Sequence, residues 1–274
     1  MSESSLLVRD ERKAVATIGT FDGVHRGHRC LLSQVRDIAD ERDLKAMAVT
    51  FATAPRVVLE AGATRASLTT TAERVALLHE AGMDDVALLT FTPAMALLTA
   101  REFMEQVLKE QLGVEVLVIG YDHRFGRGRT EAFDDYVRYG EELGIEVVRG
   151  EACMDGCEAV SSTRIRRCIK EGRIAEANSL LGYCYLLEGE VVDGYKVGRK
   201  IGFPTANIRV SDEHKLLPAD GVYAVRVNVV NNDDANENDN YHRDGNNCQL
   251  SIVNCQLGMG MLNIGHRPTV NNGE

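Results

Sequence analysis

Over its first ~180 residues the chain alternates short apolar runs with stretches of helical periodicity, and few folds accommodate that alternation. A strand that is apolar throughout has to be covered on both faces, which the helices of βα units do in a parallel sheet. Five such runs, at 15–18, 46–51, 86–89, 116–119 and 145–148, are expected to be strands. Leu31, Leu32, Val35, Ile38 and Ala39 fall on one helical face between the first two. Thr70 with Glu73, and Thr99 with Glu102, have the spacing at which a hydroxyl and a carboxylate cap a helix start reciprocally. Phe103, Val107 and Leu108 continue the second of these helices as its apolar face, and Gly82 and Gly113 mark the two stops. Helices are also expected over 134–143 and from Ser162 to about Glu171, where Gly172 breaks the pattern. The fold class is α/β, with a doubly wound parallel sheet.

Beyond Gly182 the texture changes. Runs at 185–191 and 222–230 suit strands, Gly and Pro punctuate them, and no helical period follows. A boundary near 180–184 gives two domains, 1–182 and 183–274. Inside the second, residues 231–247 are polar, rich in Asn and Asp and nearly devoid of apolar side chains, so a surface loop open to proteolysis is expected there.

Hydrophobic residues make up 44% of the chain, enough for a real core, which excludes global disorder. With 31 Lys and Arg against 41 Asp and Glu, the net charge of −10 argues against nucleic acid as the main partner, though not against a local basic pocket. The first residues, MSESSLLVRDERK, carry charge where a signal peptide needs an apolar run, and no segment approaches the ~18 apolar residues of a membrane span. No membrane partner and a cytoplasmic location are expected. Seven cysteines form no even framework and fit reduced thiols. Cys153 and Cys157 have the spacing of half a metal site, without a matching second pair.

The chemistry concentrates in three places. Gly19-Thr20-Phe21-Asp22-Gly23-Val24-His25-Arg26-Gly27-His28 joins a strand to an amphipathic helix. Gly23 and Gly27 admit a ligand close to the backbone, and the helix start offers N–H groups and a positive dipole end to a phosphate. His25 and His28, three apart, can donate to phosphoryl oxygens as charge builds there. Surface histidines and a metal-binding pair are the blander alternatives. At Ser162 and Thr163 hydroxyls and free N–H groups open a helix, and Arg166 lies one turn in. An ordinary cap with solvated arginines has the same pattern. Between them, Arg124, Arg127 and Arg129 with Phe125 set positive charge beside an aromatic ring, suited to a phosphorylated planar ligand or to a solvated basic loop.

Taken in order, these motifs resemble the bacterial bifunctional riboflavin kinase/FAD synthetases, members of the HxGH nucleotidyltransferases. The resemblance covers nearly the whole chain. It implies an α/β nucleotidyltransferase domain that transfers AMP from ATP to FMN, giving FAD and pyrophosphate. Gly19, Phe21, Asp22, Gly23, Gly27, Ser162 and Thr163 would bind ATP. His25, His28 and Arg166 would be catalytic, and Asp122, Arg124, Phe125 and Gly126 would bind the flavin. It further implies an antiparallel β-barrel riboflavin kinase module, with Gly198, Gly202 and Pro204 at the nucleotide and Thr205 and Asn207 on Mg²⁺. Asp220–Tyr223 and Asn263–Thr269 match the same module. In two respects the chain departs from the pattern. Ala52-Thr53-Ala54 stands where the family carries an Asp and a His. The chain also ends at Glu274, before the barrel strands and acidic residue that the resemblance leads one to expect, so the kinase half reads as incomplete. An adenylyltransferase for another mononucleotide and a non-catalytic flavin-binding protein are the alternatives.

Overall fold

The computed structural model describes residues 13–53, 66–121, 123–151, 160–193, 202, 205–229 and 256–265. Five parallel strands form one sheet: β1 (Ala14–Ile18), β2 (Lys45–Phe51), β3 (Asp85–Leu89), β4 (Val114–Ile119) and β5 (Glu146–Arg149). Their spatial order is β3-β2-β1-β4-β5. The order reverses between β1 and β4, which pair in parallel from Ala14 opposite Val114 to Thr17 opposite Val118. β1 is buried along its whole length, as its unbroken apolar run requires.

Helix α1 (Arg26–Arg42) buries Leu32, Val35 and Ala39. Helix α2 (Thr71–Glu80) begins at the expected capping box of Thr70 and Glu73. The short α3 (Pro93–Leu97) has proline in its first turn, where no intrahelical donor is lost. Helix α4 (Ala100–Phe103) starts at the Thr99–Glu102 box and runs on with π-helical geometry over Met104–Gln111, where a regular α-helix was expected. Ala100 and Phe103 on α4 are buried, as are Met104, Val107 and Leu108 on this wider spiral. Helix α5 (Phe133–Leu143) ends at Gly144 in the left-handed conformation.

By contact the chain divides into two compact units, Met1–Ser162 with Gly189–Lys215, and Thr163–Glu188 with Leu216–Glu274. The first holds the sheet and an antiparallel pair, β6 (Gly189–Val192) with β7 (Asn207–Val210). The strand expected from residue 185 starts four residues later, because the Tyr185 N–H donates to the side chain of Asn178 instead of to a neighbouring strand. The second unit contains most of α6 (Ser162–Lys170), all of α7 (Ile174–Leu181), and the antiparallel pair β8 (Gly221–Val229) with β9 (Gln256–Ile264). Tyr223 donates its hydroxyl to Ala219, whose N–H reaches the Ile169 carbonyl, and this fastens β8 to α6.

The expectation of reduced thiols is corrected at Cys30. Cys30 on α1 is disulfide-bonded, and its partner lies outside the described residues, whereas Cys168 and Cys184 are free. An odd cysteine count rules out complete pairing but not a single bridge. Cys153, Cys157 and the whole of 231–247 lie outside the described residues.

Candidate active site

In an open α/β sheet the crevice for a ligand opens at the carboxyl ends of the strands, where the strand order reverses. Two of the loops singled out in the sequence leave the sheet there, Gly19–His28 after β1 and Gly120–Arg129 after β4.

The first loop is tightly bent. Gly23 has φ of 85°, and the non-glycine residues Phe21 and Val24 also lie at positive φ, 44° and 31°. Such a backbone is strained for a β-branched side chain, and strain of this kind concentrates at functional turns. Two features hold it. The Phe21 carbonyl accepts the Val24 N–H at 3.0 Å. The Asp22 carboxylate turns inward and accepts the Leu68 and Thr69 N–H groups at 2.9 and 3.1 Å. Asp22, expected at ATP, thus spends its carboxylate on the loop's own architecture.

His25 caps α1, its Nδ1 accepting the His28 N–H at 3.3 Å, which leaves a neutral His25 with its proton on Nε2. The two imidazoles stack with centroids 3.6 Å apart, and Phe21 meets His28 edge-on at 5.3 Å. Burial, then the neighbouring His25 and His123, hold His28 well below its ordinary pKa, so it is neutral at pH 7. Its Nδ1 is buried with no hydrogen-bond partner among the described residues. Because the folded value lies below the unfolded one, the unfolded chain takes up this proton first as pH falls. Stability should therefore decline as pH drops below about 6.5. In His28→Gln the fall of Tm between about pH 7.5 and 5.5 should be shallower; an unchanged slope would assign that titration to another group.

The second loop is anchored by Phe125. Its N–H donates to the Tyr136 hydroxyl at 3.0 Å, and that hydroxyl donates to the Phe125 carbonyl at 3.1 Å. The Phe125 ring is 7% exposed and stacks on Tyr136 at 4.6 Å. The open aromatic face expected from the sequence is thus a core contact, since Phe103 and Tyr136 already cover it. Arg124, Arg127 and Arg129 do stand exposed around it. Tyr136→Phe keeps the ring and orphans two buried backbone groups, so a loss of about 1–3 kcal/mol is expected in denaturant unfolding.

Of the third motif, Ser162 reaches the first loop, its Oγ donating to the Asp22 carbonyl at 2.9 Å. Thr163 and Arg166 follow on α6, exposed and half-buried respectively. Gly27 sits close to the His25 ring and the Val160 carbonyl, leaving a Cβ only 3.3 Å from the imidazole. Gly202 is exposed at φ of 84°. Thr205 and Asn207 are exposed, and Asn207 opens β7 opposite Val192. Asp122, Gly198 and Pro204 lie outside the described residues, as does Ala54, while Ala52 and Thr53 are exposed.

Two features escaped the sequence reading. His123 acts electrostatically on His28, making a third imidazole at the crevice. Arg149 lies 4.4 Å over the Phe133 ring and 6.0 Å from that of Tyr121, a cation–π stack at the end of β5.

A doubly wound sheet with a His-Arg-Gly-His turn at its switch point defines a nucleotidyltransferase-type domain. An FAD synthetase family model matches residues 7–164, and a riboflavin kinase model matches residues 181–274. The bifunctional riboflavin kinase/FMN adenylyltransferase of Escherichia coli (strain K12) is 38% identical over 78% of this chain and 67% of its own length. That of Pseudomonas fluorescens is 34% identical over 95% of this chain and 75% of its own. A solved structure described as a macrolide-efflux protein from Streptococcus pneumoniae superposes with a TM-score of 0.72 at 32% identity, covering 81% of this chain and 77% of that one. Among the described residues no helix is long and apolar enough to cross a membrane. The chain belongs to the bifunctional riboflavin kinase/FMN adenylyltransferase family.

Proposed function

We propose that this chain makes FAD by transferring AMP from ATP to FMN, with riboflavin phosphorylation as its second reaction. The observation that carries the proposal is the convergence of the Gly19–His28 and Gly120–Arg129 loops at the sheet's switch point. The FMN phosphate would attack the α-phosphorus in line and release pyrophosphate. Positioning and charge stabilisation dominate such a transfer. His25 and His28, neutral donors, would bond the triphosphate oxygens as charge develops. Ser162, Thr163 and Arg166 would take the leaving pyrophosphate, and Gly19, Gly23 and Gly27 would let the chain approach it. The exposed Arg124 would meet the FMN phosphate, while Phe125 and Gly126 fix the loop that carries it.

On this reading residues 1–182 serve adenylyl transfer and 183–274 serve the kinase. Thr205 and Asn207 lie two apart entering β7, so they share one face of an extended chain and offer neutral oxygens. Such a donor pair fits Mg²⁺ that keeps waters and phosphate oxygens as its other ligands. The metal would neutralise phosphate charge there. The acidic net charge fits small-molecule partners in the cytoplasm, without nucleic acid or membrane. Incubation with ATP, Mg²⁺ and either FMN or riboflavin, followed by separation of flavins, tests the proposal. FAD and pyrophosphate from FMN are expected; FMN bound but never converted would favour the non-catalytic alternative.

A further inference from the structure

Beneath the Gly19–His28 turn, Glu73, Arg74 and Lys215 are buried beside Asp22, and adenylyl transfer as described above uses none of the three. Lys215 and Glu73 form an ion pair with side chains 1% and 3% exposed. Glu73 already accepts the Thr70 N–H at 2.8 Å, which closes the cap of α2. The Lys215 ammonium also donates to the Leu68 carbonyl at 2.8 Å. Next to it the Ser67 N–H donates to the His214 carbonyl at 2.7 Å, and Ser67 pairs with Lys215 as an isolated parallel bridge. The other edge of this short stretch grips the nucleotide turn. The Leu68 and Thr69 N–H groups hold the Asp22 carboxylate, and the Thr69 hydroxyl accepts the Gly23 N–H at 3.1 Å. Residues 67–69 therefore stand between 214–215 on one side and Asp22–Gly23 on the other.

A buried Lys–Glu pair is weak as a stabilising device, because desolvation offsets most of its attraction. What it supplies is direction, since one ammonium fixes the Leu68 carbonyl and the first turn of α2 together. We propose that Lys215 is a positioning residue for adenylyl transfer, a strut acting through Leu68 and Thr69 that sets the Asp22–Gly23 turn against the ATP phosphates. The strut comes from the part of the chain matched to riboflavin kinase (181–274) and acts on the part matched to FAD synthetase (7–164). The inference rests on the reading of Gly19–His28 as the ATP turn. It implies that adenylyl transfer depends on sequence outside the FAD synthetase match.

FAD formation by the wild type checks the functional reading, and variants of the full chain check the strut. Lys215→Met should raise KM for ATP about tenfold, the scale of one lost hydrogen-bond partner, with kcat little changed. Lys215→Arg, which can donate to the same carbonyl and carboxylate, should return KM toward the wild-type value. In Lys215→Met/Glu73→Gln no buried carboxylate is left alone, so Tm should recover while KM stays raised. A wild-type KM in either Met variant overturns the proposal. Should neither fold, hydrogen exchange of the wild type decides. ATP should slow exchange at 67–70 and 212–216 together with 19–28, and protection confined to 19–28 overturns the strut.

Discussion

Replacing His28 by Ala is expected to slow FAD formation by about 10²–10³-fold, the usual loss when one donor aimed at developing charge is removed. The effect should fall on kcat, because a neutral imidazole contributes little to ground-state attraction for a polyphosphate but donates to it as charge builds. His28 is held neutral by its burial and its imidazole neighbours, so it acts through its N–H and not as a fixed cation. The fold should survive. The cap of α1 uses the backbone N–H of residue 28 and the ring of His25, and alanine keeps that N–H. Rates at saturating ATP and FMN, with circular dichroism on the same samples, make the measurement. An unchanged kcat removes His28 from the mechanism. His28→Gln, which retains an N–H donor, should recover part of the rate.

What the sequence made legible follows from how local each signal is. The five strands, both threonine–glutamate boxes and the glycine stops at 82, 113 and 172 are short-range patterns, and they stand within a residue or two of where they were expected. Helix α7 was missed because it opens at Arg173 with no side-chain cap, so nothing in the sequence announces its start. The π-helical turn over Met104–Gln111 has the composition of an ordinary amphipathic helix, and only its hydrogen bonding differs. In the site, the histidine turn was visible because its glycines and imidazoles sit within ten residues. The role of Phe125 was not, because its partner Tyr136 lies eleven residues on, across a loop. Nothing in the sequence singles out Lys215, because most lysines are exposed and its partner Glu73 is 142 residues away. Positive φ at Phe21 and Val24 has no local signature at all, since neither residue type favours it.

Gly126→Ala is expected to damage both the fold and the flavin side of the site. Gly126 has φ of 88°, a region that an L side chain enters only with strain. A Cβ there would lie 2.6 Å from the Ala100 nitrogen and 2.8 Å from its Cα, contacts with backbone that cannot be relieved by a rotamer change. That backbone is the first residue of α4, directly after the Thr99 cap, so the clash falls on an element bound by its own hydrogen bonds. The neighbouring Arg127 N–H donates to the Leu98 carbonyl at 2.9 Å, and pushing residue 126 away from Ala100 stretches this bond as well. Left-handed strain and overpacking together should cost about 2–5 kcal/mol in equilibrium unfolding. If the folded fraction is assayed at low temperature, KM for FMN should rise more than KM for ATP, because the displaced segment carries Arg124, Arg127 and Arg129 while the histidine turn is held separately by Asp22 and Thr69. Equal increases in both constants would show that the two loops move as one body and would withdraw the assignment of the arginine loop to the flavin.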